Sequence, residues 1–180
     1  MKNFIRVLIA FSVFLCIYTV APHIGRGPGD LAPVTAIPQR ATVLGYDRAS
    51  MFGGWLGGVR EGIVDEAGDT DPYSGNRLDL SSAEVDHILP LSAAWDLGAH
   101  RWSAGERISF ANDPLNLVLV SKTENQEKSD QLPSEWLPSD RRARCWYVER
   151  LFAVANAYEL PLPEDDIRVG RKQCGFAKPW

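Results

Sequence analysis

Histidine and cysteine are both scarce, with three of each in 180 residues. No cysteine falls between positions 17 and 144. Cys16 belongs to an apolar N-terminal run, so Cys145 and Cys174 remain as an even pair. Positive charge is not in excess: 19 Lys and Arg stand against 23 Asp and Glu, for a formal net charge of −4. That argues against a general polybasic coat for nucleic acid. A local basic groove stays open, because phosphate binding depends on where charge sits. Arg141, Arg142, Arg144 and Arg150 cluster between two acidic stretches, 61–86 and 159–166. There is no internal repeat and no low-complexity tract. What remains is an ordinary globular composition, of a length that makes one domain the default.

The first residues read as a targeting segment. Lys2 and Arg6 precede Val7 to Ala21, a run without charge. Its length suits the apolar core of a signal peptide and falls short of the ~20 residues of a bilayer span. Pro22 would follow a cut after Thr19-Val20-Ala21, which is unfavourable. Cleavage, giving a secreted protein, and retention of residues 4–21 as an anchor outside the membrane therefore both stay open. Residues 22–40 are rich in proline and glycine and read as a linker, leaving 41–180 as the domain. In an oxidising compartment Cys145 and Cys174 are expected to bond. Closing that loop would stabilise by about 3–4 kcal/mol in the chain-entropy model.

Along the domain, Ala41 to Phe52 is expected to be helical, ending at Gly53-Gly54. Asp65 to Asn76 is acidic and turn-rich, and Asp71-Pro72-Tyr73-Ser74-Gly75 reads as a turn. It lacks the ligand ladder of a calcium loop, so a solvated loop is expected. Ser92 to Ala111 reads as helical, with Trp95 and Trp102 in the core. Ser139 or Asp140 can cap a helix running to about Tyr158, on which Cys145, Val148, Phe152 and Ala155 recur at one face. Residues 159–180, with Pro161, Pro163 and Pro179, read as mostly irregular.

The informative stretch is Glu84 to Lys128. Two short β-branched or leucine-rich strands, the first holding Asp86 and His87 and the second opening at Asn116-Leu117, flank a polar insertion. Ser121 and Glu124 have capping-box spacing, so a helix begins near residue 122. Asn125 and Lys128, three apart, share a face of it. Hydrolysis of a phosphodiester needs a base with a pKa near neutrality and positive charge for the anionic transition state. Of the three histidines, His23 lies in the linker and His100 reads as a surface residue. Only His87 sits in an organised context. Asp86 and Asn125 offer two hard oxygen ligands, a sparse set that suits magnesium or a similar ion retaining waters. Asp86 and His87 are adjacent, so a regular strand would point them to opposite faces.

Asp-His alone means little, and Asn-x-x-Lys means less. The joint pattern is stronger: Val85-Asp86-His87-Ile88-Leu89-Pro90-Leu91, Asn112-Asp113-Pro114-Leu115-Asn116-Leu117, then Asn125 and Lys128. It resembles the HNH, or ββα-metal, endonucleases, and especially the secreted branch related to the C-terminal domain of GmrSD-type restriction enzymes. The likeness extends weakly from Tyr46-Asp47-Arg48 to Cys174. It implies an α+β fold with a ββα-metal core, a β-hairpin followed by a helix, with the long helical insertion between the hairpin strands. It implies a metal-dependent endonuclease acting on DNA, with RNA left open and Mg2+ or Mn2+ as cofactor. By the same likeness Asp86 and Asn125 would be metal ligands and His87 the general base. Asn116 would hold the hairpin connection and help orient His87, and Lys128 would contact phosphate. Secreted relatives often carry a further cysteine pair before the Asp-Pro-Tyr turn; this chain has none there. The rival readings are an exported nucleic-acid-binding or toxin-like effector domain with little catalysis, and a structural domain in which His87 is a satisfied core histidine.

Overall fold

The computed structural model describes residues 31–175. In chain order the elements are β1 (Ala36–Ile37), α1 (Arg48–Phe52), α2 (Val59–Asp65), β2 (Glu84–His87), α3 (Leu91–Leu97), α4 (Ala104–Ala111), β3 (Leu117–Val120), α5 (Lys122–Lys128), α6 (Arg144–Ala157), β4 (Leu162–Pro163) and α7 (Glu164–Cys174). Among the described residues, seven α-helices and a few short strands make the fold α+β.

β2 and β3 pair antiparallel, with Asp86 opposite Val118 and His87 opposite Leu117. Ser121 turns the chain from β3 into α5, its hydroxyl accepting from Glu124 N at 3.3 Å. The reciprocal half of the expected capping box does not form. Ser121 N donates to Asp71 Oδ2 at 3.1 Å instead, and the Glu124 carboxylate takes the Ser139 hydroxyl. The insertion between the strands is two helices, not one. α3 stops at Gly98, a 3₁₀ turn covers Ala99–Arg101, and Ser103 restarts the helix with a full capping box to Glu106.

Two further expectations on secondary structure are corrected. Only Arg48–Phe52 of the stretch from Ala41 is helical, because tertiary bonds hold the start extended. Val43 N donates to Asp96 Oδ1 at 2.8 Å, and Val43 O accepts from Trp95 Nε1 at 3.1 Å. The tail from 159 is not mostly irregular: Glu164–Cys174 is a helix. Pro163 stands at its N-cap, where a missing N–H costs nothing, with Glu164, Asp165 and Asp166 in the first turn and Arg171 and Lys172 in the last. α6 starts at Arg144, and Asp140 caps the turn before it, accepting from Arg142 N at 2.9 Å.

α6 carries the largest share of the core, burying Tyr147, Val148, Leu151, Phe152, Val154 and Ala155. The valine, leucine and phenylalanine side chains among them each contribute roughly 1.5–3 kcal/mol relative to exposure. α7 packs so closely on α6 that a Cβ at Gly170 would sit 2.9 Å from Val148 and 3.0 Å from Phe152. Cys145 and Cys174 are joined, with Cα atoms 4.8 Å apart, and this bridge ties the start of α6 to the end of α7. Residues 31–37, within the stretch read as linker, lie on the domain. Ala32 is buried, β1 runs parallel to β4, and Asn156 Nδ2 donates to Pro33 O at 2.7 Å. No helix of the described residues is long and apolar enough to cross a membrane. The targeting segment, with His23 just beyond it, lies outside them.

Candidate active site

β2 separates its side chains as an extended strand must. Asp86 turns into a buried pocket floored by α5, where Lys128 is fully buried. The ammonium lies 3.0 Å from each carboxylate oxygen and donates to His87 O at 2.8 Å. Tyr73 completes the pocket, its hydroxyl donating to Asp86 Oδ2 at 2.7 Å. Burial pushes the Asp86 carboxyl up and the Lys128 ammonium down, and their attraction opposes both shifts. The Lys128 ammonium is therefore committed inside the protein, through two hydrogen bonds and an ion pair. A phosphate contact from Lys128 is at odds with this placement, and the residue holds Asp86 instead.

Tyr73 reaches Asp86 because the acidic turn is built into the fold rather than solvated. Asp71, 1 % exposed, accepts from Tyr73 N at 2.8 Å through Oδ1, and its Oδ2 holds the start of α5 through Ser121. Gly75 closes the turn at φ +71°, where a Cβ would meet Asp140 Oδ2 at 2.8 Å. Sequence reasoning missed Tyr73 as a partner of Asp86, since their contact is tertiary.

His87 has a different setting. Its Nε2 lies 2.8 Å from Ala111 O at the end of α4. A carbonyl only accepts, so Nε2 carries the proton and Nδ1 keeps the lone pair. Burial drives the imidazole pKa down to about 4; the Ala111 carbonyl opposes this, and the charges of Arg48 and Lys128 add to it. The ring is therefore a neutral base at ordinary pH. Trp55 stacks on it with centroids 5.6 Å apart and planes 6° from parallel. Asn112, the residue after Ala111, accepts from Leu56 N at 2.8 Å and donates to Gly54 O at 3.3 Å, which fixes the segment carrying Trp55. Asn116 is fully buried and grips Leu89 twice, accepting from its N at 2.8 Å and donating to its O at 3.1 Å. Asn116 O also accepts from Ile88 N at 2.8 Å. It thus fixes the backbone just after His87 without touching the imidazole.

Asn125 donates through Nδ2 to Glu84 Oε2 at 2.7 Å. A carboxylate only accepts, so this bond decides which way the amide is turned and leaves Oδ1 available. Glu84 is two residues before Asp86, hence on the same face of β2. That spacing was the signal for it in the sequence, and sequence reasoning passed over it. A cleft of ≈ 220 Å³ is lined by Asp86, His87 and Asn125 among others, and a second of ≈ 330 Å³ opens on the Trp55 side of His87. Asp86 and Asn125 thus line one cleft, and a carboxylate with an amide oxygen is a donor set that fits a hard divalent ion. Another grouping does not fit. Ligand-type atoms of Cys145, Glu149 and Cys174 lie within 4.8 Å of one another, but the two sulfurs are bonded to each other and offer no thiolate.

His100 and three of the four clustered arginines bond within the fold. His100 bonds to Trp95 O at 2.8 Å through Nδ1. Of the arginine cluster, Arg142 pairs with Asp140, Arg144 Nε donates to Pro138 O at 2.8 Å, and Arg150 clamps the carbonyls of Pro114, Leu115 and Leu117 at the entry to β3.

Residues 57–161, more than half of the chain, match the family described as GmrSD restriction endonucleases, C-terminal domain. The chain belongs to that family. The GmrSD match takes in β2, β3 and α5 and points, at the level of the family, to nuclease-type hydrolysis. An uncharacterized secreted protein of Arthroderma benhamiae is 39 % identical over 92 residues, 49 % of this chain. The alignment spans 45 % of that protein, so the chain covers less than half the length of this relative. No solved structure matches.

Proposed function

We propose that this protein is a metal-dependent endonuclease of the HNH type that hydrolyses phosphodiester bonds in DNA outside the cell. The observation that carries the proposal is His87: a neutral imidazole, held by Ala111 O through one nitrogen, bordering the cleft that Asp86 and Asn125 also line. The order strand, strand, helix around that cleft supports the ββα-metal reading. The uncharged run near the N-terminus and the secreted fungal relative support export. The domain limits proposed are 1–21 for export, 22–40 as a linker whose residues 31–37 lie against the domain, and 41–180 as the nuclease.

His87 takes the proton of the attacking water through Nδ1. Asp86 and Asn125 would hold a divalent ion, Mg2+ or Mn2+, which when bound supplies positive charge at the phosphate and the leaving alkoxide. Glu84 takes the Asn125 Nδ2 and leaves Oδ1 for the ion. Tyr73 and Lys128 hold Asp86, and Asn116 holds the backbone that carries His87.

The test is nicking of supercoiled DNA with Mg2+, Mn2+ and chelator, run beside single-stranded DNA and RNA. His87→Ala is expected to lose turnover by about 10²–10⁴-fold, the span typical for a missing general base, with metal binding by calorimetry retained. Asp86→Ala is expected to lose metal binding. Full activity after exhaustive chelation, or equal loss of metal binding in both variants, overturns this assignment of roles.

A further inference from the structure

With Lys128 buried, the substrate phosphate needs another cation. The acid balance of the cleft makes the need sharper. Asp86 and Asp130 line it and Glu84 stands behind Asn125, so an approaching polyanion meets carboxylates. Lys128 offsets Asp86 from inside, and Asp130 is shared with Arg40 at 3.2 Å. Two positive charges are felt at His87, those of Arg48 and Lys128. Lys128 is committed. Arg48 is exposed, and among the described residues it makes no hydrogen bond or ion pair. It also lines both clefts that flank His87.

The segment that carries Arg48 is well anchored. Asp47 caps α1, accepting from Ser50 N at 2.8 Å and Ser50 Oγ at 2.6 Å, so its Oδ1 serves Ser50. Phe52 is fully buried at the other end, and Arg107 Nε donates to Met51 O at 2.9 Å. Tyr46 packs on Phe52 and Trp95 with centroids 6.1 and 6.2 Å apart. The backbone is fixed on both sides, and the guanidinium is left over at the edge of the clefts.

We infer that Arg48 is the residue that takes the backbone phosphate of the nucleic acid beside His87. This rests on the nuclease reading and replaces Lys128 in it. A guanidinium suits the task, because it stays charged and presents paired donors to two phosphate oxygens.

The experiment measures binding apart from cutting. A fluorescein-labelled DNA duplex is titrated by anisotropy with His87→Ala protein, alone and combined with Arg48→Gln or Arg48→Lys, across a range of salt. Arg48→Gln should weaken binding by about 10–100-fold, the loss of a charge-assisted contact, and lower the salt slope by about 1. Arg48→Lys should keep the slope and recover part of the affinity, and the melting temperature of each should match the parent. Arg48→Met replaces Arg48→Gln if the latter does not fold. Unchanged affinity and slope overturn the inference, as does a loss of affinity with no change in slope, or a parent that does not bind DNA. Plasmid cutting by protein that retains His87 is followed in parallel. If it cuts with no divalent ion tested while binding still depends on Arg48, the nuclease reading falls and the phosphate contact stands. If Arg48→Gln cuts and binds as well as its parent, the phosphate contact falls and the nuclease stands.

Discussion

Asp86 and His87 are neighbours on one short strand, and their surroundings are opposites. Asp86 meets a cation at 3.0 Å and a tyrosine hydroxyl at 2.7 Å. His87 meets one carbonyl, an indole face and two clefts. Burial pushes each toward its neutral form, the carboxyl up and the imidazole down, but only Asp86 has a countercharge in contact. One strand thus serves two purposes at once. Its inward face is locked by an ion pair, and its other face presents a base that stays uncharged without a partner carboxylate.

The largest expected break in that contrast comes from Lys128→Met. It leaves Asp86 buried with only Tyr73, and should cost about 3–5 kcal/mol, as removal of one partner of a buried pair does. Urea unfolding at pH 7 measures it. The cost should shrink at low pH, where Asp86 becomes protonated; a cost independent of pH would mean that the pair is not what holds the pocket.

The second concerns His87. Its folded pKa of about 4 lies below the unfolded value of about 6.5, so between these the unfolded chain binds more protons than the folded one. The stability present above pH 6.5 is lost as pH falls toward 4, on the order of 3 kcal/mol for this one group. Subtracting the urea-unfolding profile of His87→Gln from that of the unmutated protein should isolate this loss. Parallel profiles across that range would place the histidine in water rather than under Trp55.

The smallest is Tyr73→Phe, which takes one donor from Asp86 and leaves the ion pair. A loss of about 2 kcal/mol is expected for a hydrogen bond to a charged acceptor, without change in the pH dependence tied to His87. A change in that dependence would mean that the Tyr73 hydroxyl acts on His87 as well as on Asp86.

Part of this was legible in the sequence. Capping by Ser121 gave the start of α5, the arithmetic of cysteines gave the Cys145–Cys174 bond, and the motif brought out Asp86, His87, Asn116 and Asn125. The fate of Lys128 was not legible. A three-residue step says that Asn125 and Lys128 share a helix face, but not that the face lies against a strand and buries its cation. Tyr73 was hidden for a related reason, since a turn of five residues does not announce which distant carboxylate it braces. α7 was hidden by its prolines, which read as breaks although Pro163 marks a start. The acidic-to-basic gradient from Glu164 to Lys172 was the better signal.

The stack of Trp55 on His87 has an optical consequence. An indole face in contact with an imidazole is quenched far more strongly when that imidazole is cationic. The protonation of the base is therefore written into the emission of one tryptophan 5.6 Å away. Replacing Trp55 by Phe keeps an aromatic cover and deletes that signal, so the difference spectrum between the two proteins titrates His87 directly, with no substrate present.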